Sequence, residues 1–184
     1  MKTRIAWVVA AVAAVGFAAT ARPAASHSES SPMSAIAATS EQWASVAGFI
    51  TKAAEQVPES SYAWKPTPAV RSFGQLIGHL AGTQLQMCGL VLGEKVNAED
   101  SVEKGITSKA ALVDAMKASN EKCKKAYAIS ESNANKNIKM FGEDRTGLFW
   151  LISNMGHDNE HYGNIVTYMR MMNMVPPSSQ QSGM

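Results

Sequence analysis

Two histidines four residues apart, His157 and His161, stand in the stretch HDNEH. On an α-helix, at about 100° per residue, their side chains project about 40° apart, one turn above the other. Two imidazoles so placed can share one metal ion, and neutral nitrogen ligands suit Zn, Ni, Cu or Fe(II). The same spacing also arises on an ordinary solvated helix face, so the pair alone decides nothing. With Glu160 before His161, the stretch further fits H-x-x-E-H, the pattern of inverted zinc peptidases, in which the glutamate is the general base. That chemistry needs another carboxylate ligand well downstream. Only 23 residues follow His161 and none is Asp or Glu. The peptidase reading is therefore poor, and Glu160 is left as a partner of a ligand or as a surface charge.

Two ligands leave a metal site too open, so a third is needed. His79 is the remaining histidine of the helical region; His27 lies in a small, polar stretch near the N-terminus. Leu76, Thr83, Met87 and Leu90 share the helix face of His79. Alone, a histidine there is more often a core residue hydrogen-bonded to a neighbour. Taken with the distal pair, it gives three histidines on two helices, the way bundles build metal sites from facing side chains. Ligand nitrogens sit about 2 Å from zinc, so a separation above about 8 Å between His79 and the pair would exclude a shared ion. Three readings stay open at this point. The chain is a metal-dependent enzyme, a non-catalytic protein that binds a metal or small ligand, or a bundle whose histidines never meet.

The elements that must position these residues are helices. Four segments carry helical periodicity and none carries strand alternation. The first runs from Thr39, with Gln42 as capping-box partner, through Trp43, Val46, Phe49, Ile50 and Ala53 to Val57, before Pro58. The turn-rich PESSYAWKPTP follows. The second helix starts at Ser72, with Gln75 completing a capping box, and ends near Leu92 with Gly93 as its cap. A polar link of about 14 residues leads to a third helix over Ser108 to Ile129; extended, it can run the length of a helix, so helices two and three need not be antiparallel. A second polar link with Gly142 and Asp144 precedes a fourth helix over Thr146 to Met172, stopped by Pro176-Pro177. The economical architecture is an all-α four-helix bundle. On the fourth helix Trp150, Asn154, Asn164 and Tyr168 share the histidine face. Leu148, Ile152, Met155, Tyr162, Val166 and Met169 form an apolar back face, expected to meet a neighbouring helix or a second subunit in a homodimer.

The first 21 residues read as a secretory signal peptide. Lys2 and Arg4 precede an apolar run, and Ala19-Thr20-Ala21 offers a small-x-small cleavage site, with Ala18 as the alternative. Residues 22–38 read as a disordered lead-in, 39–177 as the bundle and 178–184 as a flexible tail. The mature protein is thus expected to be exported, periplasmic or secreted, with no membrane attachment after cleavage. Losing Lys2 and Arg4 from 17 basic residues leaves 15 against 15 acidic ones. That balance, without basic clusters, excludes nucleic acid as an expected partner and leaves a small-molecule substrate or ligand. Cys88 and Cys123, the two cysteines present, permit one disulfide in an oxidising compartment. Each also fits a helical stripe as a buried thiol.

Two stretches resemble the DinB superfamily. In PESSYAWKPTPAVRSFGQLIGHLAGTQLQMCGLVLG, a Pro-rich connector leads to Arg71-Ser72-Phe73-Gly74, Leu76 and a histidine five residues after Gly74. In GHDNEHYGNIVTYMRMMNMVPP, H-x-x-x-H is followed by Gly163, Tyr168-x-Arg170 and the Pro-Pro stop. The resemblance spans roughly residues 40–177. It implies an up-down-down-up bundle, often dimeric, with a divalent metal (Zn, Ni or Fe) held by His79, His157 and His161. It also implies, from some members, transfer or isomerisation chemistry on low-molecular-weight thiols; a hydrolase is the other metal-dependent class considered.

Overall fold

A computed structural model describes residues 33–180. The expected signal peptide, most of the lead-in and the last four residues lie outside the described residues. Four long helices form the bundle: α1 (Ala35–Gln56), α2 (Phe73–Val91), α4 (Lys109–Tyr127) and α6 (Gly147–Met171). Two short helices, α3 (Ser101–Gly105) and α5 (Glu131–Ala134), and a hairpin of β1 (Asn137–Met140) and β2 (Glu143–Thr146) fill the connections. Among the described residues, no helix is long and apolar enough to cross a membrane.

The fold is the all-α bundle expected, with two local corrections at its start. α1 begins at Ala35, so residues 35–38 belong to a helix and not to a lead-in. Ser34, rather than Thr39, is its cap: the Ser34 hydroxyl accepts from the Ala37 N–H at 3.3 Å. Thr39 lies inside the helix and donates its hydroxyl to the Ala35 carbonyl at 2.7 Å. The α2 capping box forms as expected, with Gln75 N–H donating to Ser72 Oγ and Ser72 N–H donating to Gln75 Oε1. Ser108 and Thr146 cap α4 and α6 through their hydroxyls alone, which accept from the Ala111 and Phe149 N–H groups.

Contacts along the helices fix their directions. The end of α2 meets the end of α4 through a Cys88–Cys123 disulfide, with Cα atoms 5.1 Å apart, within the range a bridge requires. Near their starts, Gly78 faces Leu112. α2 and α4 are therefore parallel. The start of α1 stacks Trp43 on Tyr127 at the end of α4, at 4.7 Å between rings. At its other end Glu55 pairs with Lys117, so α1 and α4 are antiparallel. Tyr168, late in α6, donates to the carbonyl of Arg71, just before α2, which makes α2 and α6 antiparallel. The order is up-down-down-up, and the long second connection allows it.

That connection is not a free loop. α2 carries Gly78, Gly82 and Gly89 along the face it turns toward residues 96–103. A Cβ on Gly82 would lie 1.9 Å from the Glu99 carbonyl oxygen, and one on Gly78 would lie 2.9 Å from the Glu103 Cα. Only glycine lets a second backbone come so close to a helix. α3 and the residues before it are thus pressed onto α2, and Val102 enters the core.

The hairpin is the element that periodicity missed. Its strands have four residues each, too short for alternation to register. Phe141 and Gly142 at the turn both have positive φ, 50° and 84°, the two-residue geometry that suits hairpin twist. Trp150 donates its indole N–H to the Ile138 carbonyl at 2.9 Å and packs with Met87 and Met140. Its place on the histidine face of α6 is therefore explained by the hairpin. The apolar back face of α6 is partly consumed by the core. Tyr162 and Met169 are buried; Leu148, Met155 and Val166 are half-buried; Ile152 is 44% exposed. Past Pro177 the chain folds back. Ser178 N–H donates to the Tyr162 hydroxyl, and Gln180 reaches Gln56, so the expected flexible tail is fastened as far as residue 180.

Candidate metal centre

Antiparallel packing of α2 on α6 brings His79 opposite His157 and His161. The Nε2 atoms of His79 and His157 are 3.1 Å apart, and one ring nitrogen from each of the three histidines lies within 4.8 Å of the others. Ring centroids are 5.0, 5.0 and 4.4 Å apart, all edge-on. His79 is almost wholly buried; His157 and His161 are half-buried.

Each ring has a polar group behind it, on the Nδ1 side. A Glu103 carboxylate oxygen lies 3.6 Å from His79 Nδ1. An Asp158 oxygen lies 3.9 Å from His157 Nδ1, and the Asn164 amide lies 3.2 Å from His161 Nδ1. Asn164 hydrogen-bonds the His161 ring, while Glu103 and Asp158 stand near the other two Nδ1 atoms without a hydrogen bond; a polar group on the Nδ1 side is the arrangement that metal-binding histidines use. Burial is the main cause that holds His79 down to about 3, with the Arg71 charge next. Burial likewise lowers His161 to about 4, with His157 adding to it. Both imidazoles are therefore neutral, in the ligand form, across the ordinary pH range.

The donor set fits a divalent ion. Two nitrogens 3.1 Å apart can each sit about 2.0–2.1 Å from a common centre, whereas without one their lone pairs converge with at most one proton to share. Three protein nitrogens leave a coordination position, and His161 lines a cavity of about 590 Å³ together with Lys65, Arg71, Gln75, Asn164 and Tyr168. A metal held there would polarise a bound oxygen or stabilise a bound thiolate.

Two residues of this neighbourhood were not singled out by the sequence. Asp158 is fully buried. Burial raises its carboxyl to about 6, opposed by His157 and by the Trp43 indole. Asn154 Nδ2 lies 3.4 Å from one of its oxygens and also donates to the Tyr127 hydroxyl, which itself donates to the Leu151 carbonyl. The signal was present: 151, 154, 158, 162 and 165 form one helical stripe, and a carboxylate in its middle must be buried. Glu103 sat in a stretch read as a polar link, yet Gly78 and Gly82, four apart, mark where a second backbone lies against α2. Glu160, by contrast, is exposed and stays a surface charge.

A family model of the DinB superfamily matches residues 42–165. The chain belongs to the DinB superfamily. Solved structures share the fold. A DinB-like protein from Bacillus subtilis shares 23% identity at a TM-score of 0.62, covering 78% of this chain and 99% of its own. A DinB-like protein from Bacillus cereus shares 18% at the same TM-score, covering 76% and 93%. A conserved protein from Enterococcus faecalis shares 16%, again at 0.62, covering 76% and 98%. At these identities the likeness concerns the DinB fold alone. Among curated proteins, none matches the chain.

Proposed function

We propose that this DinB-superfamily protein is exported, holds one divalent metal ion through His79, His157 and His161, and uses its open position in metal-dependent chemistry on a small molecule. The observation that carries this reading is the 3.1 Å approach of two Nε2 atoms with a polar group behind every Nδ1. Neutral nitrogen ligands favour Zn, Ni or Fe(II). The cavity lined by His161 favours an enzyme of transferase or hydrolase type over a closed structural site, because it would give a small molecule a way to a metal held by the histidines. In such a site Glu103, Asp158 and Asn164 stand behind the ligands.

Elemental analysis of the purified mature protein tests the proposal. Stoichiometric metal is expected, and His161→Ala should lose it. A His161→Ala protein that folds and keeps stoichiometric metal would sink the three-histidine site.

A further inference from the structure

Arg71 is the residue beside the histidines whose capacity the fold leaves unspent. Its Nε contacts both carboxylate oxygens of Glu103, each at 3.1 Å. Its carbonyl accepts from Tyr168 at 3.0 Å, and Tyr168 is braced edge-on by Trp64 at 5.5 Å. Glu103 is itself held in place because α3 lies on Gly78. The guanidinium is thus anchored at one side and from behind. Its two terminal amino groups make no hydrogen bond among the described residues, and the side chain is 42% exposed at the wall of the cavity that also contains His161.

The charges of this cavity point one way. Lys65 and Arg71 face a single lining carboxylate, Glu103, which is already engaged with Arg71 and His79. Arg71 is close enough to the histidines for its charge to lower the proton affinity of His79 and His161 alike. A divalent ion on the histidines would make the wall more positive still. At about 590 Å³ the space suits a small metabolite, within the usual range of roughly 300–1,000 Å³. A planar fork of two N–H donors matches a carboxylate in bidentate fashion, which a point charge does not.

We propose that the cavity binds a small carboxylate-bearing molecule, its carboxylate on the terminal amino groups of Arg71 with Lys65 nearby, and its other end toward the three histidines. This rests on the proposed function and names the substrate class of that site. Arg71 sets which ligands are taken up; Tyr168 is a strut for Arg71, since its hydroxyl is committed to the Arg71 carbonyl.

The probe is succinate, compared with its uncharged diamide succinamide and with inorganic phosphate. Each is titrated calorimetrically into metal-free and Zn-loaded protein, with metal uptake measured separately. Succinate should bind both forms, more tightly with metal. Succinamide should bind about tenfold or more weakly, since a charged hydrogen-bonded pair contributes that much; phosphate can take the fork but has no second end to reach toward the histidines, and should also bind more weakly than succinate. Arg71→Gln should weaken succinate by about tenfold in the metal-free protein, the form in which loss of the Glu103 contact cannot act through a metal. Arg71→Lys, which keeps charge and loses the fork, should fall between. Lys65→Gln, at an exposed position away from the Glu103 pair, supplies a second variant with a smaller loss. Succinate affinity unchanged in Arg71→Gln, or equal binding of the diamide, overturns the proposal. Phosphate binding as tightly as succinate overturns the assignment to carboxylates. If wild-type protein takes up no metal yet binds succinate through Arg71, the metal reading fails and the carboxylate site stands.

Discussion

Gly82 offers the sharpest test of how α2 carries the site. A Cβ there would lie 1.9 Å from the Glu99 carbonyl oxygen and 3.0 Å from its carbon, so no rotamer change absorbs Gly82→Ala. The segment before α3 must lift off the helix. Overpacking of this kind costs about 1–3 kcal/mol, and the upper end applies because the obstacle is backbone. Against it stands the helix preference for alanine over glycine, about 1 kcal/mol. The net is a loss of about 2 kcal/mol, or a fall of about 4–8 °C in Tm for a domain of this size. Gly156 on α6 is the control, with nothing within 4 Å of a built Cβ. Gly156→Ala should instead raise Tm by about 2–4 °C. Lifting the segment also draws Glu103 away from His79, so metal affinity should fall about tenfold in Gly82→Ala and hold in Gly156→Ala. Scanning calorimetry of the metal-free proteins and chelator competition read the two effects. Equal stabilisation by both substitutions refutes the close backbone approach. A destabilised Gly82→Ala with unchanged metal affinity refutes the role given to Glu103.

Three further expectations follow from the same contacts. Glu103→Gln leaves the fold in place but removes the charge behind His79, and should weaken metal binding by about 10–100-fold in chelator competition; unchanged affinity would show that His79 needs no carboxylate. In metal-free protein, His79 and His161 are lowered to about 3 and about 4 from 6.5, so their contribution to stability is full above pH 6.5 and is lost as pH falls toward those values. Asp158, raised to about 6 from 3.8, acts in the opposite sense: its contribution is full below 3.8 and lost as pH rises through about 6. Asp158→Asn should therefore steepen the rise of the urea midpoint between about pH 4 and 6, and parallel profiles for the two proteins would contradict the buried carboxylate. Reducing the Cys88–Cys123 bridge, or replacing both with serine, opens a link of sequence separation 35; the chain-entropy cost is about 4 kcal/mol, and a Tm unchanged by reduction would argue against the bond.

The sequence made the helical parts of this molecule legible because each obeys one period over many residues. Four amphipathic stripes, the Ser72–Gln75 capping box and the Pro176-Pro177 stop are local signals, and local physics decides them. Helix direction is not local. The parallel pairing of α2 and α4 depends on where a long link comes to rest, and the expectation of it came from family resemblance. What stayed hidden was of two kinds. The hairpin was too short for a period of two to be counted, and its stability comes from packing Met140 and Trp150 rather than from its own pattern. The disulfide needed two Cα atoms 5.1 Å apart, a fact about helix register that no spacing between residues 88 and 123 contains.

The site divides along the same line, and the division explains why the stretch HDNEH misleads when read by itself. His157 and His161 are a local pair, but their meaning comes from His79, seventy-eight positions before His157. Within the pentapeptide, the acidic residue that catches the eye is Glu160, because a known motif has a place for it, and it lies on the surface. The acidic residue that matters is Asp158, which no motif uses and which the helical stripe places in the core. A buried carboxylate beside a histidine is costly in a bundle that gains nothing from it. Its cost is offset when the neighbouring imidazole shares a cation, since that charge favours the ionised form. Two carboxylates from unrelated segments, Asp158 on α6 and Glu103 on α3, stand on the Nδ1 sides of two of the three rings. Glu103 already pairs with Arg71; the proposed divalent ion on the three histidines would favour the ionised form of Asp158 as well.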